Sequence, residues 1–410
     1  MILAFFVPRR GSLKVMGALI QAALDRRHEV VLLWHPAEAK PGERIVPKDL
    51  ESWPGARAIA FDPRAPLPPI LAAQGAQALV ATSLYSTFKA LGRTADLPAL
   101  GRAGVRTFSI DYVLDTVTSS PEGYRAVDVT FYTSEYQRRL HWRVQAEGFA
   151  RVGAPDELAR RSAVCGSPML DQLAVVDRAA VRKRYGLDDG RPVVVFMSLK
   201  MGVPDPWRRL VWGREWRGLR AMRAALTGHA EWVPTILRTH GYRDLMDALA
   251  RFCARHGAAL VVKSRRKNYD PSFLSRYADV FLTDETVYPY TSMELIAIAN
   301  LCVHFQSGAV IEAAFAGVPS LSVIVSQTHL HAYPGHDEIY GLAPESLQNY
   351  GGVVWPVRPE EAIARLERAS LADFGIDRAA RAGYVRRFLE FDDTASSDRV
   401  LDVIERAVRG

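Results

Sequence analysis

Apolar positions along this chain fall into short unbroken runs, with helical-period stretches between them. Residues 2–7 read ILAFFV and residues 29–34 read EVVLLW, and residues 13–26 between them carry a helical pattern. A short apolar run bounded by turn residues fits a strand buried on both faces, which is the habit of parallel sheets. The same alternation predicts strands over residues 58–61, 78–82, 106–111, 127–133 and 162–166, with helices over 84–93 and 135–147. Residues 62–69 hold four prolines and read as a loop. A second series starts with the strand PVVVFMS at 192–198. It continues with a helix at 242–256, strands at 259–263 and 279–283, and a helix at 291–299. Residues 301–325 then give strand, helix and strand, a βαβ unit. A strand at 353–355 and helices at 359–371, 377–390 and 397–408 complete the pattern. Repeated strand–helix alternation predicts an α/β protein of two doubly wound, Rossmann-like domains facing a cleft. The boundaries expected are 1–160, 161–390 and a terminal helix over 391–410.

Composition narrows the class. The chain has 410 residues, enough for two or three cores, and 49% of them are hydrophobic. No apolar run approaches the length of a spanning helix, and the opening run lacks a basic flank, so it reads as a strand rather than a signal peptide. Cys165, Cys253 and Cys302 are scattered and odd in number, which points to a reducing, cytoplasmic setting without disulfides. The net charge is +7 and the pI about 9.3. The basic residues are spread along helix faces, so a solvated surface explains most of them and a nucleic-acid partner is not expected. Attraction to phosphate-bearing substrates or a peripheral contact with an anionic membrane is the other reading of the charge.

The candidate chemistry sits at strand ends. Gln306-Ser307-Gly308 links a strand to a helix, and a helix start behind a glycine turn suits a phosphate. Glu312 lies one turn into that helix. Lys263 ends a central strand and opens the basic run Lys263-Ser264-Arg265-Arg266-Lys267, so Lys263 and Arg265 read either as phosphate neutralisers or as a solvated turn. Asp111 closes another strand. It reads as a general base on a hydroxyl or as a turn cap, with Asp115 a weaker candidate. Arg9 and Gly11, in the first turn of the chain, face the cleft or merely shape that turn. That turn lacks the dinucleotide glycine spacing. Glu294 reads as surface decoration of its helix. His329, His331 and His336 lack companion cysteines, so a metal is not expected. Residues 201–216 hold Trp207, Trp212 and Trp216 among arginines, either a ligand surface or a self-packed insertion.

These features together resemble the GT-B glycosyltransferases, with bacterial surface-polysaccharide enzymes and CDP-glycerol glycerophosphotransferases the nearest in flavour. Gly166-Ser167-Pro168-Met169-Leu170-Asp171 is similar to their Gly-x-Pro-x-x-Asp element. Ser307, Gly308, Glu312, Gly317 and Pro319 resemble the donor stretch, and Lys263 with Arg265 the phosphate-facing pair. The glycerophosphotransferases' N-terminal His-Gly pair has no counterpart in the first 160 residues. The resemblance implies a metal-independent transfer with no cofactor. A nucleotide-diphosphate sugar would bind to the second domain through Gly166, Ser167, Ser307, Gly308 and Glu312, and a glycan, lipid-linked or other hydroxyl acceptor to the first. Nucleotide-sugar epimerases share the donor stretch, so they and non-catalytic scaffolds of this fold remain open.

Overall fold

In the computed structural model, residues 1–35, 43–62, 64–111, 120–153, 155–198, 217–228, 242–264, 272–283, 285–324 and 343–410 are described, with single positions at 230, 233, 335, 338, 339 and 341. The Trp-rich segment, Asp115, Arg265 and the three loop histidines lie outside these residues.

The first series of apolar runs hydrogen-bonds into one parallel sheet of seven strands. They are β1 (Ile2–Val7), β2 (Glu29–Trp34), β3 (Arg57–Ala60), β4 (Ala78–Thr82), β5 (Arg106–Ile110), β6 (Val129–Tyr132) and β7 (Ser162–Val164). Their order across the sheet is β3-β2-β1-β4-β5-β6-β7. Phe5 of β1 lies opposite Leu32 on one side and Val80 on the other, so the central strands bury both faces. The second sheet has six parallel strands in the order β10-β9-β8-β11-β12-β13. They are β8 (Val193–Met197), β9 (Ala259–Lys263), β10 (Val280–Leu282), β11 (Leu301–His304), β12 (Ser320–Val323) and β13 (Val354–Val357). Strand order reverses between β1 and β4 in one sheet and between β8 and β11 in the other. At such switch points the strands' carboxyl ends leave a crevice for ligands.

The helices that matter for that crevice are α1 (Arg10–Asp25), α2 (Leu67–Ala73), α3 (Leu84–Ala90), α4 (Glu135–Val144), α5 (Thr291–Ile298), α6 (Ala309–Ala316), α7 (Arg378–Phe388) and α8 (Ser396–Arg409). Ser134 caps α4 by accepting the Gln137 amide at 3.1 Å. Helix α2 corrects the expected loop. Two of the four prolines occupy its first turn, where the missing N–H costs nothing. Glu294 on α5 is also not surface decoration. It is 3% exposed and is held by the Arg184 fork at 2.9 and 3.2 Å and by the Tyr185 hydroxyl.

Two devices join the lobes. Leu140 of α4 packs into one apolar cluster with Tyr290, Met293, Val310, Tyr384 and Phe388 from the second half. Helix α8 runs back onto the first lobe, where Val400, Leu401 and Ile404 enter the core around Leu3 and Phe5. Arg26, at the C-terminal cap of α1, donates to Asp398, Asp402 and Glu405 along that helix.

Candidate functional site

Strand β11 ends at His304 and α6 begins at Ala309, so the intervening turn stands at the switch point of the second sheet. Gln306 adopts a left-handed φ of 36°, uncommon for a residue with a side chain. Gly308 has φ −62° and ψ −13°, which any residue could adopt. Backbone geometry therefore does not require glycine there. Ser307 Oγ accepts the Ala309 amide at 3.2 Å, which leaves its own proton for an outside acceptor.

The first lobe reaches this turn through α1. Lys14 Nζ forms an ion pair with Glu312 Oε1 and stands 5.4 Å from the Tyr290 ring centre. Glu312 is 1% exposed, and its second oxygen, Oε2, has no hydrogen-bond partner among the described residues. Gln172 straddles the lobes, donating to the Lys14 carbonyl at 2.6 Å and accepting the Tyr290 amide at 2.8 Å. Arg10 donates to Asp49 at 2.8 Å and to the Glu285 carbonyl.

Lys263 lies in the same seam. It is 4% exposed and donates to Glu285 Oε1 and to the Ser264 carbonyl, both at 2.8 Å. The Tyr290 hydroxyl donates to the other Glu285 oxygen. Burial pushes the Glu285 carboxyl up, but the Lys263 ammonium, the Tyr290 hydroxyl and the Lys14 charge outweigh it and hold it below the usual range.

Asp111 stands directly past β5, on the carboxyl edge of the first sheet. It is buried, its Oδ1 accepts from Ser109 Oγ at 3.2 Å, and its amide donates to the Phe131 carbonyl. Beside it is a hollow of about 20 Å³, lined by Ser83, Ser86, Ser109, Ser120, Tyr85 and Tyr124 among others. Among the described residues no lysine or arginine lines it. Nearer the switch point, Ser12 Oγ and Thr82 Oγ1 are 3.3 Å apart.

Of the residues singled out from the sequence, Ser307, Gly308, Glu312 and Lys263 converge on the interlobe seam. Asp111 holds the first lobe's strand edge. Arg9 is exposed just before α1, and Gly11 lies in its first turn. Gly166 and Ser167 lie just past β7, ahead of Pro168. A Cβ on Gly166, whose φ is 82°, would meet Ser396 Oγ at 2.4 Å and Phe391 at 3.3 Å. Asp171, three residues past Pro168, accepts the Ser396 and Ser397 amides at 3.2 and 2.6 Å and so caps α8. Arg10 lies in the first turn expected to face the cleft, between Arg9 and Gly11, whereas Lys14, Gln172, Glu285 and Tyr290 were missed by sequence reading. The spacing of Arg10 and Lys14, one turn apart on a helix that opens at a strand's carboxyl end, was the available signal.

No family model matches the chain, and no curated protein matches it. Solved structures do. A putative UDP-N-acetylglucosamine 2-epimerase from Listeria monocytogenes aligns over 100% of this chain and 96% of its own, with TM-score 0.60 and 12% identity. UDP-GlcNAc 2-epimerase from Neisseria meningitidis, bound to UDP-GlcNAc, aligns over 99% and 100%, with TM-score 0.57 and 11% identity. The wall teichoic acid polymerase TagF, soaked with CDPG, aligns over 100% and 89%, with TM-score 0.57 and 13% identity. With two facing parallel sheets, switch points turned to a shared seam and a last helix returning to the first lobe, this chain has the GT-B fold.

Proposed function

We propose that the protein transfers a sugar from a nucleotide-diphosphate sugar to a hydroxyl acceptor. The observation that carries this reading is the Ser307–Gly308 turn. It is a glycine-bearing helix start at a switch point, facing Lys14 of the other lobe, with Glu312 Oε2, unpartnered among the described residues, beside it. The pyrophosphate would settle on the helix start, take the Ser307 hydroxyl proton as a hydrogen bond and draw Lys14 from Glu312. Glu312 would then accept a ribose or sugar hydroxyl. Lys263, Arg265 and Lys14 would offset charge growing on the leaving group, the task a metal performs elsewhere. The acceptor oxygen bonds to the anomeric carbon while that carbon's bond to the pyrophosphate oxygen breaks. The electron pair leaves with the nucleoside diphosphate, and the acceptor proton passes to Asp111. Arg9 and Gly11 would border the acceptor, and Gly166 and Ser167 the donor.

Epimerisation of a nucleotide sugar is the second reading, favoured by the epimerases of the same fold. Incubation with UDP-, GDP-, CDP- and ADP-sugars, with and without polyol and glycan acceptors, separates the two. Transfer releases nucleoside diphosphate only when an acceptor is present. An epimer formed from the nucleotide sugar alone would replace the transferase reading with the epimerase one.

A further inference from the structure

The turn that faces the seam is held from beneath by side chains without access to solvent. His304 Nδ1 accepts the Ser307 amide at 3.4 Å. Gln348 Nε2 donates to the Ser307 carbonyl at 3.1 Å, and Gln348 Oε1 accepts from Ser322 Oγ at 2.8 Å. His304, Ser322 and Gln348 are each 0% exposed. Both backbone groups of Ser307 are thus committed to buried polar side chains drawn from β11, β12 and the approach to β13.

We propose that His304, Ser322 and Gln348 are positioning residues. They form a buried hydrogen-bond frame that presets the Ser307–Gly308 turn to receive a pyrophosphate, an inference that rests on the donor-site reading above. Three observations carry it. Gln306 is kept in a left-handed conformation that a free chain would leave, and this needs a surrounding structure that over-determines the turn. With Nδ1 accepting, the proton of neutral His304 resides on Nε2, and that buried N–H has no acceptor among the described residues. An orphaned buried donor is destabilising, and a leucine would avoid it, so the imidazole is retained for what Nδ1 does. Burial also pushes the His304 ring down to about 3, which keeps the Nδ1 lone pair available throughout the ordinary pH range. The frame fills no part of the seam itself. It acts through the backbone of Ser307, so loss of the frame should weaken phosphate binding and leave base recognition intact.

The test measures calorimetric affinities of the full chain for UDP and CDP and for uridine and cytidine. The variants are His304→Leu, His304→Asn, Gln348→Met and Ser322→Ala. His304→Leu and Gln348→Met should weaken the diphosphate by about tenfold, the loss of one hydrogen bond's worth of positioning, with nucleoside affinity unchanged. His304→Asn, whose amide oxygen can take the place of Nδ1, should restore most of the loss. Ser322→Ala should show a smaller loss in the same direction, and it carries the test should His304→Leu fail to fold. Equal weakening of nucleoside and diphosphate, or unchanged diphosphate affinity in folded variants, would overturn the frame alone. No diphosphate binding by the unaltered protein would instead remove the donor-site reading, and the frame with it.

Discussion

Lys263 shows how one side chain can be read two ways until its neighbours are known. A basic residue at the end of a central strand demands an anion, and the sequence leaves open whether that anion is a ligand or a carboxylate. The structure supplies Glu285, held also by Tyr290. Breaking a buried pair strands the other charge, so Lys263→Met should destabilise the protein by about 3–5 kcal/mol. Pairing it with Glu285→Gln should recover most of that stability in chemical denaturation. If Lys263 also steadies the leaving group, the double variant stays folded yet loses about 2–4 kcal/mol of transition-state stabilisation. Recovery of turnover together with stability would show that Lys263 serves the fold only. Glu285 and Lys14 were not legible as site residues, because a lone helix cation and a loop carboxylate look alike in a sequence wherever they stand. Ser307, Gly308 and Glu312 were legible because strand, glycine turn and helix start are local features.

Elements were easier to read than contacts. The central strands are apolar runs with turn residues on both sides, so β1, β2, β4 and β9 could be placed from periodicity alone. Helix α2 could not, since prolines in a first helical turn and prolines in a loop are the same letters. The Gly166–Asp171 stretch was visible as a motif, but its contact with α8 depends on residues more than 200 positions later. Gly166 has positive φ and no room for a side chain, so Gly166→Ala should lower stability by about 1–3 kcal/mol in denaturant melts. Burial raises the Asp171 carboxyl to about 6, with the Ser397 and Ser396 bonds opposing. Its folded value therefore exceeds the unfolded one near 4. Between those pH values the folded chain binds more protons, so this group's contribution to stability falls as pH rises from about 4 to about 6. His304 works in the opposite direction over part of the same range, because its folded value is lowered. The difference between the unaltered protein and Asp171→Asn isolates Asp171. Plotted against pH, the unaltered protein's stability relative to the variant should decline across that window, and a flat difference would contradict the assignment.

Across the whole molecule, the lobes are tied together at their rim and meet by charge at their seam. The apolar cluster around Leu140 and the returning helix α8 hold the halves together, while the Lys14–Glu312 ion pair and the Arg10 hydrogen bond to the Glu285 carbonyl bridge the crevice. Ion pairs across a crevice can exchange partners with an entering anion, which apolar contacts cannot do. Among the described residues no helix is long and apolar enough to cross a membrane. The central claim is that a diphosphate sits on the helix start at Gly308. Gly308 takes a backbone conformation open to any residue, and an acidic side chain at a helix start favours the fold. Gly308→Asp should therefore fold with undiminished melting temperature while placing a negative charge where the phosphate belongs. The decisive measurement is a calorimetric titration of the unaltered protein and Gly308→Asp with UDP, GDP, CDP and ADP. The expected result is saturable binding of at least one diphosphate by the unaltered protein and a loss of at least tenfold in the folded variant. Diphosphate binding that is absent in the former, or equally tight in both, would contradict it.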